Sequence, residues 1–193
     1  MNNLIKTSYE IANTFDSSLN GIQFKKADKY LIPVLFHSMA LEHHRAIICL
    51  IENHLIGSAS SLLRCQFESY VKGLWFWNCG TEKDFELFRK DKFSLIFRKL
   101  VSDIEEKCEK GISKPKLEYW GTLNSLTHSG AEQLSRRIDG SHIGSNYGKG
   151  FSKDTLNFAN NYALLSCGEL AKLSGNPNTQ KSVISIAQEL GIL

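Results

Sequence analysis

Apolar side chains recur at intervals of three and four along most of the chain, the period that lines one face of a helix. The clearest stretch is 58–79, where Leu63, Phe67, Tyr70, Leu74 and Trp77 form one stripe and predict a helix packed into a core. Beside that stripe runs a second line, Arg64, Glu68, Val71 and Trp75. Its two charges share register with apolar groups and are expected to be half buried. The same periodicity predicts helices over about 4–19, 29–56, 58–79, 82–110, 115–138, 153–174 and 177–190. Thr81 with Asp84 three residues later reads as a capping box, and Asn176 before Pro177 as an N-cap. The prolines, Pro33, Pro115 and Pro177, each fall near the start of a periodic segment, where a missing amide hydrogen is tolerated. Val, Ile and Thr never alternate over a strand's length, so no sheet is expected. The prediction is an all-α bundle of about six or seven helices, one domain over 1–193, with a glycine-rich loop at 139–152.

Length and charge narrow the function. A chain of 193 residues is long enough for one sizeable core and short for two. The formal net charge of +3 is too small for a protein that coats a nucleic-acid backbone, so any phosphate binding must be local. The five cysteines are an odd count without a Cys-x-x-Cys pair, the pattern of reduced thiols in a cytoplasm. The first residues hold no apolar signal core, and no run approaches the ~20 apolar residues of a bilayer span. A cytoplasmic chain without a membrane partner is expected.

Candidate chemistry gathers downstream, in Thr127-His128-Ser129-Gly130 followed by Gln133 and the Arg136-Arg137 pair. On one continuous helix His128 falls at the edge of an apolar arc made by Tyr119, Trp120, Leu123, Leu126, Leu134 and Ile138. Its small neighbours, Gly121, Asn124, Ala131 and Ser135, would let another helix come close. The imidazole is then either a packing group or a working one in a narrow crevice. His128, Glu132 and Arg136, four apart, are also compatible with a solvated charge ladder. Arg64 and Glu68, four apart, form either a plain helical ion pair or a unit in which Glu68 orients the Arg64 guanidinium toward a bound anion. The glycine-rich segment reads as a mobile connection, although its amides and Lys149 could cradle a phosphate. No Walker, dinucleotide, Glu-x-x-His, His-Glu-x-x-His or nucleophile-elbow motif occurs. At least one of the adjacent His43 and His44 is expected to pack inside the bundle. Neither a metal nor a cofactor is expected.

Across about 58–150, the spacing Leu63-Arg64-x-x-x-Glu68, Trp75, then Thr127-His128-x-Gly130-x-x-Gln133 and Arg136-Arg137 resembles a group of uncharacterised bacterial helical proteins, a domain family of unknown function. More distantly the bundle resembles the HEPN superfamily of nucleotide-binding and ribonuclease domains, many of them in toxin and phage-defence systems. That superfamily uses Arg, four to six residues, then His; here four separate Arg137 from His142 and five separate Arg136 from it. The resemblance implies metal-independent RNA cleavage. His128 or His142 would transfer the proton, Arg64 and Arg137 would hold the phosphate, and Glu68 would fix Arg64. Gln133, Arg136 and Lys149 complete the implied ligand-binding set. It also implies a homodimer, with Trp75-Phe76-Trp77 as a candidate interface if not core. Two other readings stay open: a module that binds a partner protein, in which Arg64, Glu68 and His128 are a structural polar network, and a nucleotide-binding protein without hydrolysis.

Overall fold

A computed structural model describes residues 1–108, 111–148 and 150–189. Nine helices and one small hairpin are found among them: α1 (Asn2–Leu19), α2 (Asp28–Glu52), α3 (Ile56–Asn78), α4 (Glu82–Arg89), α5 (Phe97–Cys108), α6 (Ser113–Thr127), α7 (Ala131–Ser135), β1 (Ile138–Asp139), β2 (His142–Ile143), α8 (Phe151–Ser174) and α9 (Pro177–Glu189). The architecture is all-α, as the periodicity predicts. No helix of the described residues is long and apolar enough to cross a membrane.

Helix α3 is the axis of the bundle, packed against α2, α5, α6 and α8. This explains why its apolar stripe is so broad: Leu63, Phe67, Tyr70 and Leu74 are buried, and so are Val71, Trp75 and Phe76 on the flanking lines. Trp75 and Phe76 therefore belong to the core and not to a surface interface. The Trp75 indole N–H donates to Asp103 at 3.0 Å, which satisfies its one polar atom. Phe67 makes the widest set of ring contacts, meeting Phe97 of α5, Trp120 of α6, and Phe158 and Tyr162 of α8 at centroid distances of 4.9 to 6.4 Å.

Two long periodic segments turn out to be interrupted. The 82–110 segment breaks after Arg89, where Asp91 takes a left-handed backbone with φ 53°. The reversal brings Phe93 onto Phe76, 4.8 Å between centroids, so burial of one aromatic ring outweighs helix continuity. The 115–138 segment ends at Thr127. Ser129 has φ 55°, and a Cβ at Gly130 would stand 2.5 Å from Ser125 Oγ and 3.0 Å from Ser125 Cα, so only glycine allows so tight a turn. A short antiparallel hairpin follows, pairing Ile138 with Ile143 and Asp139 with His142. Strands of two residues are too short to leave an alternation in the sequence, which is why no sheet was expected. Pro33, near the start of its segment as predicted, lies inside α2 beyond the first turn and leaves the Lys29 carbonyl without its helical donor. Both predicted caps form: the Thr81–Asp84 box is complete, and Asn176 Oδ1 accepts from the Asn178 amide at 2.9 Å.

A buried polar chain joins three helices. His44 Nε2 donates to Asn160 Oδ1 at 2.7 Å, and Asn160 Nδ2 donates to Ser8 Oγ at 3.0 Å. His44 is the packed member of the histidine pair, while His43 is half exposed. Burial pushes the His44 imidazole down to about 4, below its ordinary value of ~6.5. The unfolded chain therefore takes up the proton first as the pH falls. The stability that the neutral ring provides is complete above about pH 6.5 and is lost progressively toward about pH 4. Urea unfolding at about pH 7.5 and about pH 4.5 should show this loss as about 2–3 kcal/mol relative to His44→Gln, which keeps a donor and cannot titrate. Parallel pH dependence in the two proteins would refute it.

Candidate functional site

Helix α6 docks on α3 through hydroxyl groups. Ser61 Oγ donates to the carbonyl of Leu126 at 2.8 Å, and Thr127 Oγ1 donates to the carbonyl of Ser61 at 3.1 Å. This double clamp fixes the end of α6 one turn before Arg64. His128, the C-cap of α6, is thereby brought against Arg64, whose Nη1 donates to His128 Nε2. A guanidinium has no acceptor, so Nε2 carries the lone pair and a neutral His128 holds its proton on Nδ1. Arg64 Nε donates to Glu68 Oε1 at 2.8 Å, and Glu68 Oε2 lies 3.9 Å from Lys72. The guanidinium also stands over the Trp120 indole, 5.0 Å from its centroid, and Phe97 stacks on the same indole at 4.1 Å and 7°. Three contacts, to His128, Glu68 and Trp120, thus lock a half-buried arginine, while His128 remains exposed.

These groups open onto a cleft of about 730 Å³ lined by Arg64, Arg98, Lys116, Trp120, Asn124 and His128 with four smaller or apolar neighbours. No carboxylate lines it. Two smaller grooves, one of about 490 Å³ near Arg45 and one of about 660 Å³ near Tyr9, are lined by acids as well as bases, and the arginine of the first is already paired with Asp16. The smaller volume near Arg45 and the larger one near Tyr9 lack the union of imidazole, guanidinium and aromatic surface found beside α6.

The other predicted residues lie elsewhere. Gln133 Nε2 donates to the Gly57 carbonyl at 3.2 Å, so it fastens α7 to the first turn of α3. Arg137 approaches the same turn: a Cβ at Gly57 would meet Tyr147 Oη at 2.4 Å, Gln133 Nε2 at 3.1 Å and Arg137 Nη2 at 3.5 Å. Arg136 pairs with Glu132 at 2.9 Å and covers the Phe151 ring at 4.4 Å. The Glu132–Arg136 half of the predicted ladder therefore forms, and His128, outside any helix, is not part of it. His142 sits exposed on β2 and does not line the cleft. Lys149 lies outside the described residues. Among the described residues no group of three His, Cys, Asp or Glu side chains is placed to hold a metal.

The cleft residues Arg98, Lys116, Trp120 and Asn124 were missed as site residues. Lys116, Trp120, Asn124 and His128 are spaced four apart, a signal that was present and was masked by counting Trp120 with the apolar arc. Arg98 gave no signal, because its direction depends on the break before α5.

Fold and site together define an all-α bundle with an acid-free arginine–histidine cleft. The chain belongs to the DUF6988 family of unknown function, whose model matches residues 37–191, a span that includes every residue of the cleft. No curated protein and no solved structure matches it.

Proposed function

We propose that this cleft binds single-stranded RNA and cleaves it without a metal, using His128 as the proton-transfer group and Arg64 as the phosphate clamp. The observation that carries this reading is the direct contact between Arg64 Nη1 and His128 Nε2, with Glu68 holding the guanidinium from behind. A phosphate entering the cleft competes for the Nη1 donor and frees the Nε2 lone pair. Nε2 then takes the proton of an adjacent 2′-hydroxyl. The 2′-oxygen forms a bond to phosphorus and the bond from phosphorus to the 5′-oxygen breaks. The imidazolium returns its proton to that leaving oxygen, giving a 2′,3′-cyclic phosphate and a 5′-hydroxyl. Arg64 neutralises the charge that builds on the non-bridging oxygens. A role in a bacterial toxin or phage-defence system is consistent with such an activity, and an unknown partner protein would then restrain it.

The test is incubation of labelled single-stranded RNA with the protein in chelator, beside His128→Ala and His142→Ala variants. The expected result is cleavage to cyclic-phosphate ends that survives His142→Ala and is lost in His128→Ala. Intact RNA with the parent protein, with His128→Ala changing only the melting temperature, would support instead the non-enzymatic module in which Arg64, Glu68 and His128 fix helix register.

A further inference from the structure

Most of the arginines of this protein have an ion-pair partner. Of its six arginines, Arg45, Arg64, Arg89 and Arg136 each have a carboxylate partner. Among the described residues Arg98 and Arg137 have none; Arg137 lies at the first turn of α3 and outside the cleft, which leaves Arg98 and, among the lysines without a carboxylate partner, Lys116. Both line the cleft that holds Arg64 and His128. Arg98 is exposed and Lys116 partly so, so their charges are held at the mouth of the cleft without an internal counter-ion.

Their placement sets a length. Lys116, Trp120 and Asn124 occupy successive turns along one face of α6, and His128 caps it. Twelve residues of helix separate Lys116 from His128, about 18 Å at 1.5 Å per residue. Even at the ~3.4 Å per nucleotide of a strand stacked as in a duplex, about five phosphates at most fit along that distance, and an extended strand places fewer there, still more than one. A mononucleotide anchored at Arg64 and His128 would leave Lys116 unused. Arg98 enters from the side, next to Phe97, whose ring is stacked on Trp120. The Trp120 indole is already covered by Phe97 and by the Arg64 guanidinium, so the result is a basic track that would hold a strand by its phosphates, the sequence-independent part of nucleic-acid binding.

We infer that Arg98 and Lys116 form a second phosphate subsite, so that the ligand of this cleft is a single-stranded polynucleotide several nucleotides long. This rests on the proposed nucleic-acid function and specifies its substrate class. Arg64 and His128 hold the phosphate at which the strand is cut, and Arg98 and Lys116 hold phosphates further along. Each of the two contacts releases counter-ions, which makes the preference for long strands dependent on salt.

The experiment measures binding of 2′-O-methyl oligouridylates, which cannot be cleaved by attack of the 2′-oxygen, as a 12-mer and as a dimer, over a salt series. The proteins compared are the wild type, Arg98→Ala, Lys116→Ala, the double variant and His128→Ala. The expected result is that the double variant binds the 12-mer at least tenfold more weakly and binds the dimer as the wild type does. Its slope of log affinity against log salt should be shallower by about 1.4, and that of each single variant by about 0.7. The single variants keep the test open should the double one fold poorly. Wild-type affinity and slope in both single variants would overturn the inference, as would equal losses on dimer and 12-mer or tighter binding of a 12-base-pair duplex than of the strand. If the 12-mer binds through His128 but not through Arg98 or Lys116, only this inference falls. If the wild type binds neither oligonucleotide, the proposed function falls with it.

Discussion

His128→Ala is expected to lower the rate of RNA cleavage about 10²–10⁴-fold, the range for removing a general acid–base group, with little change in unfolding temperature. The imidazole is exposed and its bond to Arg64 lies at the surface of the bundle, so its loss leaves no buried cavity. Arg64→Lys separates charge from geometry at the same site. A lysine keeps the positive charge but has no planar fork, and cannot donate to Glu68 and to His128 from fixed positions while lying flat over Trp120. Its rate should fall nearly as far as that of Arg64→Ala. Full activity in Arg64→Lys would show that charge alone suffices and that the locked guanidinium has no role in the reaction. Single-turnover cleavage assays of the three variants, with circular dichroism melts as the control for folding, decide the matter.

Phe67→Ala should produce the largest loss of stability, about 3–5 kcal/mol, as expected for emptying a fully enclosed aromatic site. Phe67 is 1% exposed and is the ring at which α3, α5, α6 and α8 meet. A void there cannot be filled by one neighbour moving, because each neighbour is held by its own helix. In a chain of this size the midpoint of thermal unfolding should drop by about 10 °C. Phe67→Leu, which refills most of the volume, should cost less than half as much. Since Phe97 and Trp120 form the floor of the cleft, Phe67→Ala should also weaken oligonucleotide binding in protein that is still folded. An unfolding free energy within about 1 kcal/mol of the wild type would show that the four helices are held together elsewhere.

Helix content was legible in the sequence because periodicity is a local property and survives most tertiary contexts. The α3 stripe, the Thr81 and Asn176 caps and the half-buried Arg64–Glu68 pair all follow from spacing within one helix. The interruptions at 90–96 and 128–130 were not legible. Each is a place where the backbone leaves the helix to satisfy a contact with a residue far away, Phe93 with Phe76 in one case and α6 with Ser61 in the other. A helical wheel drawn through such a break assigns every later side chain to the wrong side, which is why Gln133, Arg136 and Arg137 were grouped with His128 and are found facing α3's first turn, Glu132 and Phe151 instead.

The sequence by itself determined that the chain forms helices, which face of α3 is buried, and that Arg64, Glu68 and His128 are the residues worth watching. Only the tertiary structure decided that Arg64 and His128 touch, that His142 stands apart, and that Arg98 and Lys116 share the same cleft. The physical reason is range. Helical register is set by neighbours three or four residues away, whereas the meeting of 64 with 128 and of 98 with 116 depends on how helices turn and dock, which no short stretch of sequence encodes.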